Sequence, residues 1–407
     1  MQNEKTQKLF DMLQERGFVK DMTHPEQIKN LLNSDKKISF YLGIDPTADS
    51  LHIGHFFALR MFRHLQDAGH HGVLLIGGAT SLIGDPTGKS DMRKMLTKDQ
   101  VKHNLDEVKE LARRFVLPET EIVNNADWMD NFSYIDFMRL VCVHFNVSTM
   151  LASEAYARRR ENGGLTFLEM GYMPMQAYDF VHLYNTKGCI LEIGGSDQWG
   201  NIVAGTELFR KMNIEQGNEK SEIYGLTSPL LMTADGKKMG KTEKGTLWVA
   251  REKTTPFDFY QYFYNTADDN TEMLLALFTD IPMDEIKEMC KTDIIAAKKR
   301  MAFEITKLIH GEELAQSAAN TAASLFSGGN ADDMPTVEIE MKSPMGILDF
   351  LCATGLFDTK SDARRNVEQG GIQIDGQKVT DPKTMIAPAT EIMVQKGKKV
   401  FLRVICK

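Results

Sequence analysis

The sequence predicts an α/β protein built on a parallel sheet, followed by a helical segment and a small, basic α+β tail. Three observations carry that expectation. The apolar runs Ile38–Ile44, Val73–Ile76 and Cys189–Ile193 have the length of buried strands, and each ends at glycine and polar residues before a helix-like pattern resumes. Residues 251–325 lose this rhythm and read as helices with Asp- and Glu-rich faces. Residues 345–407 then hold ten Lys or Arg against seven Asp or Glu, a net of +3 within a chain of net charge −8.

Composition narrows the class. A length of 407 residues calls for two or three domains. The 42% hydrophobic and 26% charged content fits a globular chain with a real core. The N-terminus lacks the apolar centre of an export signal, and no apolar run approaches the ~18 residues of a membrane span. Cys142, Cys189, Cys290, Cys352 and Cys406 are scattered without a C-x-x-C pair, which suits a reducing cytoplasm and argues against structural zinc. The acidic body excludes a general polyanion binder, while the tail leaves a nucleic-acid partner open.

In sheets of this kind ligands sit beyond the carboxyl ends of the strands. After the first strand comes Gly43-Ile44-Asp45-Pro46-Thr47-Ala48-Asp49-Ser50-Leu51-His52-Ile53-Gly54-His55. Asp49 or Ser50 is expected to cap a helix ending near Gly69. His52 and His55 then share a face of its first turn, where free N–H groups and the helix dipole favour phosphate. Gly54 would let a flat ring approach the backbone. A pair of surface histidines would show the same spacing, but Asp-Pro-Thr at a strand end favours a nucleotide, and no third ligand has metal-site spacing.

The segment resembles the His-Ile-Gly-His signature of class I aminoacyl-tRNA synthetases. The resemblance implies a Rossmann-like catalytic domain in which His52 and His55 stabilise charge at the ATP phosphates. It also sets Thr47 in the catalytic group and Asp45 and Gly54 at ATP.

The second strand end, Gly77–Ser90, misses a Walker A motif by one residue, since only three residues separate Gly84 from Gly88. It resembles instead the glycine-rich turn of tyrosyl-tRNA synthetases, which implies that Asp85 meets the substrate ammonium and that Lys89 and Arg93 reach pyrophosphate. Further on, Tyr172, Gln176 and Asp179 fall on one face of a helix whose flanks, Met173, Met175, Tyr178 and Phe180, are apolar. Buried polar groups need partners, and a ligand can supply them. The stripe is similar to the tyrosine-binding helix of the same family. By that likeness Tyr172 and Gln176 hold the amino-acid end, and Asp179 with Tyr41 holds the phenol. At the third strand end, Gly194-Gly195-Ser196-Asp197-Gln198 resembles the family's ribose motif, with Asp197 and the Gly195 backbone at ribose and Gln198 at the amino acid.

Residues 234–245 carry four lysines and three glycines, the make-up of a mobile cationic loop able to close on pyrophosphate. Lys238-Met239-Gly240-Lys241-Thr242 resembles the Lys-Met-Ser-Lys-Ser signature and departs from it at Gly240 and Thr242; Lys238, Lys241 and Thr242 would be catalytic, with Lys241 also at ATP. Leu42 stands where relatives often carry cysteine. The tail, from Thr359 to Val379, reads as a basic helix, a glycine stop and a hairpin turned at Asp375-Gly376. It resembles a small RNA-binding domain of bacterial tyrosyl-tRNA synthetases, which implies phosphate contacts from Arg364, Arg365, Lys378 and the Lys396, Lys398 and Lys399 cluster.

Taken over nearly the whole chain, the resemblance is to bacterial-type tyrosyl-tRNA synthetases. Expected domains are a catalytic domain at 1–226, the lysine loop at 227–250, an anticodon-side helical domain at 251–326, a linker at 327–343 and an RNA-binding domain at 344–407. Expected partners are L-tyrosine, ATP with Mg²⁺, tRNA(Tyr) and a second copy of the chain. No protein-held metal and no membrane are expected. Arg158, Arg159, Arg160, Arg210 and Lys211 are candidates for the tRNA acceptor arm. The tryptophanyl enzymes, which share both signatures, are the nearest alternative.

Overall fold

A computed structural model describes residues 7–87, 95–215, 217–218, 221–233, 236, 238–242, 245–327, 336–341, 343–357, 359–397 and 400–407. The chain divides into two compact units, residues 1–250 with 272–286, and residues 251–271 with 287–407.

The first unit holds the parallel sheet. Strands β1 (Ser39–Ile44), β2 (His71–Ile76), β3 (Glu121–Asn124), β4 (Cys189–Gly195) and β5 (Tyr224–Ser228) lie in the order β3-β2-β1-β4-β5, with every pair parallel. The three expected strands are β1, β2 and β4, and β1 occupies the centre. The chain leaves β1 toward β2 on one side and returns as β4 on the other, so the strand order reverses there. A crevice opens at the carboxyl ends of such a pair. In the register of β1 on β4, Tyr41 lies beside Glu192 and Leu42 beside Ile193.

Helix α1 (Ile53–Asp67) follows β1 and buries Phe56, Phe57, Leu59, Met61, Phe62 and Leu65 against the sheet side of the unit. Each such side chain contributes about 2 kcal/mol on burial. Its start differs from expectation. The cap is His52, because Ser50 spends its hydroxyl on the Leu51 carbonyl at 3.0 Å and accepts the Ala250 amide at 3.2 Å. Helix α2 (Lys98–Arg113) opens with a reciprocal Thr97–Gln100 capping box. Helix α3 (Tyr172–Lys187) ends at Gly188, whose φ of 67° suits the left-handed closing turn. Helix α4 (Trp199–Glu215) packs on α3, and Gly205 leaves room there for the Phe180 ring.

In the second unit, helices Pro256–Tyr264, Ile294–His310 and Glu312–Ser327 pack on one another, with the Phe259 ring edge-on to His310 at 5.1 Å. An open cleft of about 510 Å³ is lined by Tyr264, Asp268, Ile295 and Lys298 among others, none of them a predicted site residue. Toward the C-terminus a five-stranded sheet runs Gln377–Val379, Ile372–Ile374, Glu391–Lys396, Val400–Cys406, Thr336–Ile339 in spatial order. Its core gathers Ile347, Phe350, Val367, Ile372, Val394 and Val404. Asp375 and Gly376, at φ 46° and 77°, make the two-residue hairpin turn that their sequence predicts.

Candidate active site

One end of the candidate site, the expected phosphate end, is built around α1. The Nδ1 of His52 accepts the His55 amide at 3.2 Å, and the Nδ1 of His55 accepts the His52 amide at 3.3 Å. The rings stack with centroids 3.6 Å apart. An imidazole whose Nδ1 accepts carries its neutral-form proton on Nε2, so both rings present Nε2–H donors. Gly54 gives this pair room, since a Cβ there would stand 3.1 Å from His52 Cε1 and crowd the ring. The expected seat for a flat ring is thus first of all a seat for an imidazole.

The lysine loop is tied to the same segment by its own backbone. Val249 donates to the Leu51 carbonyl at 2.8 Å, Ile53 to Leu247 at 3.2 Å, and Leu247 to Gly240 at 2.7 Å. Lys238 reaches the Asp197 carboxylate at 3.5 Å, which brings the second signature to the ribose motif. Gly240 has φ 86°, and a Cβ there would meet Ile53 Cγ2 at 2.5 Å. The departure from serine therefore has a local cause: this loop conformation strongly favours glycine. Only the backbone of Lys241 and Thr242 is described, as a short strand paired to Gly245–Thr246. Lys89, Arg93 and Lys398–Lys399 lie outside the described residues.

The other end, where the amino acid is expected, is closed. Asp179 is 1% exposed, and its carboxylate accepts Asn125 Nδ2 at 3.0 Å and Trp128 Nε1 at 2.8 Å. Burial pushes this carboxyl up to about 8 against the pull of those two hydrogen bonds, and the Glu192 and Asp45 carboxylates add to the rise. Tyr41 is wholly buried, edge-on to Phe180 at 5.1 Å, and its hydroxyl faces the Glu192 carboxylate. Burial, then Glu192 and Asp179, raise it well above the usual phenol range. Gln176 donates Nε2 to Glu192 Oε1 at 3.1 Å, and Gln176 Oε1 is buried without a partner among the described residues. Burial lifts Glu192 to about 7, moderated by Gln176 and Tyr41.

Between the two ends runs a polar bridge. Asp45 accepts the Thr80 hydroxyl at 2.7 Å and the Tyr172 hydroxyl at 2.9 Å. Gly77 makes this possible, because a Cβ there would lie 2.0 Å from Asp45 Oδ1. Asp85 accepts Gln198 Nε2 at 2.8 Å and the Thr87 amide at 2.9 Å. Gly195 is held close over Asp197, 2.7 Å from Oδ1 to a built Cβ. The amide of Thr47 donates to the Asp45 carbonyl at 2.8 Å. Residues from β1, α3 and β4 thus converge with the turns that follow β1, β2 and β3. Asn125, Trp128 and Glu192 escaped sequence reasoning. Glu192 alone left a signal, as an acid in the apolar run Cys189–Ile193.

The nucleic-acid candidates divide. Arg158, Arg160, Arg364, Arg365 and Lys378 are exposed. Arg365 pairs with Asp362, and Arg210 with Glu207 at 2.8 Å. Lys211 donates to the His144 carbonyl at 2.6 Å, and Lys396 sits 4.3 Å over the Phe357 ring. Arg159 is a correction. It is 4% exposed and clasped to Glu169 at 2.7 Å, so an arginine read as a surface contact is a structural ion pair.

Residues 33–327 match the family of class I tRNA synthetases (W and Y), and residues 327–404 match the tyrosine–tRNA ligase SYY-like C-terminal domain. A tyrosine–tRNA ligase of Clostridium botulinum (strain Langeland) is 48% identical over 98% of this chain and 99% of its own. That of Acetivibrio thermocellus is 46% identical over 97% and 98%. Among solved structures, a C-terminally truncated mitochondrial tyrosyl-tRNA synthetase of Aspergillus nidulans superposes with a TM-score of 0.70 at 27% identity, covering 79% of this chain and 95% of its own. The chain belongs to the class I tRNA synthetases of the tryptophan and tyrosine group, and within them to the tyrosine–tRNA ligases.

Proposed function

We propose that the enzyme activates L-tyrosine with ATP to tyrosyl-adenylate and pyrophosphate, then transfers the tyrosyl group to the 3′ end of tRNA(Tyr), with the residues above in named roles. One observation carries the assignment of the amino acid. Asp179 is buried, braced by Asn125 and Trp128, and acts on the buried Tyr41 hydroxyl, which also faces Glu192. A pocket with such groups at its closed end is matched by a phenol, while phenylalanine would leave them unpaired.

The tyrosine carboxylate is ionised near neutral pH, so attack on the α-phosphate needs no general base. Catalysis is positioning and charge stabilisation. Asp85 with Gln198, and Tyr172 with Gln176, set the amino-acid end. Asp197 and the Gly195 backbone take ribose, and Asp45 and Gly54 serve the nucleotide. His52 and His55 donate from Nε2 to the phosphates as charge develops. Thr47, Lys238, Lys241, Thr242, Lys89 and Arg93 complete the phosphate set, and Mg²⁺ enters with ATP.

The division of labour follows the chain: catalysis at 1–226, loop closure at 227–250, anticodon-side contacts at 251–326, a linker at 327–343, and RNA binding by 344–407. Exposed Arg364, Arg365 and Lys378 support the last role, with Arg158, Arg210 and Lys211 near the acceptor arm. A homodimer is supported by the run of exposed Tyr134, Ile135, Leu140, Val143 and Val147, apolar side chains 55–67% open on consecutive helical segments. The compartment proposed is the cytoplasm, where ATP and tRNA are both at hand.

The test is pyrophosphate exchange with tyrosine, tryptophan and phenylalanine side by side. Exchange should depend on tyrosine; dependence on tryptophan would overturn the pocket assignment. Replacing Arg364 and Arg365 together by alanine should leave exchange intact and weaken tRNA charging. Unchanged charging would remove the tail from RNA binding.

A further inference from the structure

We propose that Glu192 is a positioning residue of the amino-acid pocket, whose carboxylate fixes the Gln176 amide with its oxygen turned toward the substrate ammonium. The inference rests on the pocket reading above and goes beyond it. Glu192 is 3% exposed on β4, beside Tyr41 in the strand register. Its Oε1 accepts Gln176 Nε2 at 3.1 Å. A carboxylate only accepts, so the opposite amide orientation would set two oxygens against each other. With Nε2 so engaged, Gln176 Oε1 faces the other way, buried and without a partner. That atom is an acceptor awaiting a donor, and the substrate ammonium is the donor the reaction supplies.

A proton on Glu192 reverses the preference. The carboxyl O–H seeks an acceptor, Gln176 Oε1 turns toward it, and the amide presents N–H groups to the ammonium. The groups facing Glu192 are Tyr41 from β1 and Gln176 and Asp179 from α3; Asp45 beyond β1 acts on Asp179, and Cys189 lies farther down β4. Among these Asp179 also titrates, at the phenol end. The two carboxyls are therefore separated by ligand chemistry. Tyramine keeps the ammonium and phenol, whereas 3-(4-hydroxyphenyl)propionate keeps the phenol and lacks the ammonium.

The experiment measures equilibrium binding of tyrosine, tyramine and 3-(4-hydroxyphenyl)propionate to the full chain, below and above about pH 7. In the parent, affinity for the two amines should rise about three- to tenfold with pH relative to the propionate, the scale of one hydrogen bond. Glu192→Gln should bind the amines more weakly at the higher pH and lose that relative pH dependence. Glu192→Asp, which keeps the charge, should retain it, and melting curves confirm that both variants fold. Equal weakening of all three ligands, or an unchanged pH dependence in Glu192→Gln, overturns the proposal. A parent that binds none of the three sinks the pocket assignment and the proposal with it.

Discussion

The two ends of the crevice are constructed on opposite plans. At the phenol end, Asp179, Tyr41 and Glu192 are buried, and Asn125 and Trp128 hold the carboxylate from a distant turn. At the phosphate end, the groups are partly open, ride on the first turn of α1 and on a lysine loop, and are joined by backbone hydrogen bonds between Ser50–Ile53 and Leu247–Ala250. The difference matches the roles proposed for the two ends. Selecting one amino acid demands fixed, desolvated partners, whereas pyrophosphate must leave, which demands cations that can withdraw.

The largest effect that sharpens this contrast is expected at the phosphate end. His55→Ala removes a donor that matters as charge develops, so kcat of exchange should fall about 100-fold with little change in KM for tyrosine. A large rise in that KM would show that the two ends are not separable. Gly240→Ser should be milder. Serine at φ 86° costs about 1–2 kcal/mol and presses on Ile53, so activation should slow about tenfold while equilibrium binding of tyrosine is kept. Activity at parent level would mean that the loop adopts another conformation in catalysis.

The smallest effect concerns stability. Buried Asp179 and Glu192 keep their protons to about 8 and about 7, whereas in the unfolded chain such groups ionise near 4. Between those values the folded state binds more protons, so stability declines as pH rises through that window. The ligand-free protein should therefore melt lower at about pH 8 than at about pH 6, and Glu192→Gln should recover about 2 °C at the higher pH. A melting temperature that climbs over this range would place both carboxylates in a far more favourable setting than their burial implies.

Legibility followed the range of the contacts involved. β1 and β4 are buried on both faces, so their apolar runs announce them. Short outer strands such as Glu121–Asn124, and Tyr224–Ser228 with its internal Gly225, carry no such pattern. Asp49 and Ser50 are the better caps by residue type, yet His52 takes the cap because residues 247–250, far along the chain, claim the backbone and hydroxyl before it. Arg159 looked like one of three surface arginines until Glu169, ten residues on, buried it. Gly240 read as a departure from a motif, and only Ile53 gives the reason. The reactive groups were legible because each stands at a strand end or on one helix face. Their braces, Asn125 and Trp128, come from a turn with no motif.

The central claim is that the closed end reads the phenolic hydroxyl through Asp179. Measuring kcat/KM for tyrosine and for phenylalanine in pyrophosphate exchange, for the parent and for Asp179→Asn, tests it directly. The amide cannot accept from both Asn125 and Trp128 as the two carboxyl oxygens do, and tyrosine activation should fall about 100-fold, the scale of leaving a buried donor unsatisfied. Phenylalanine activation should stay the same or improve, so that discrimination collapses. An equal loss for both amino acids would contradict the account, because Asp179 would then be a structural brace and not a reader of the hydroxyl.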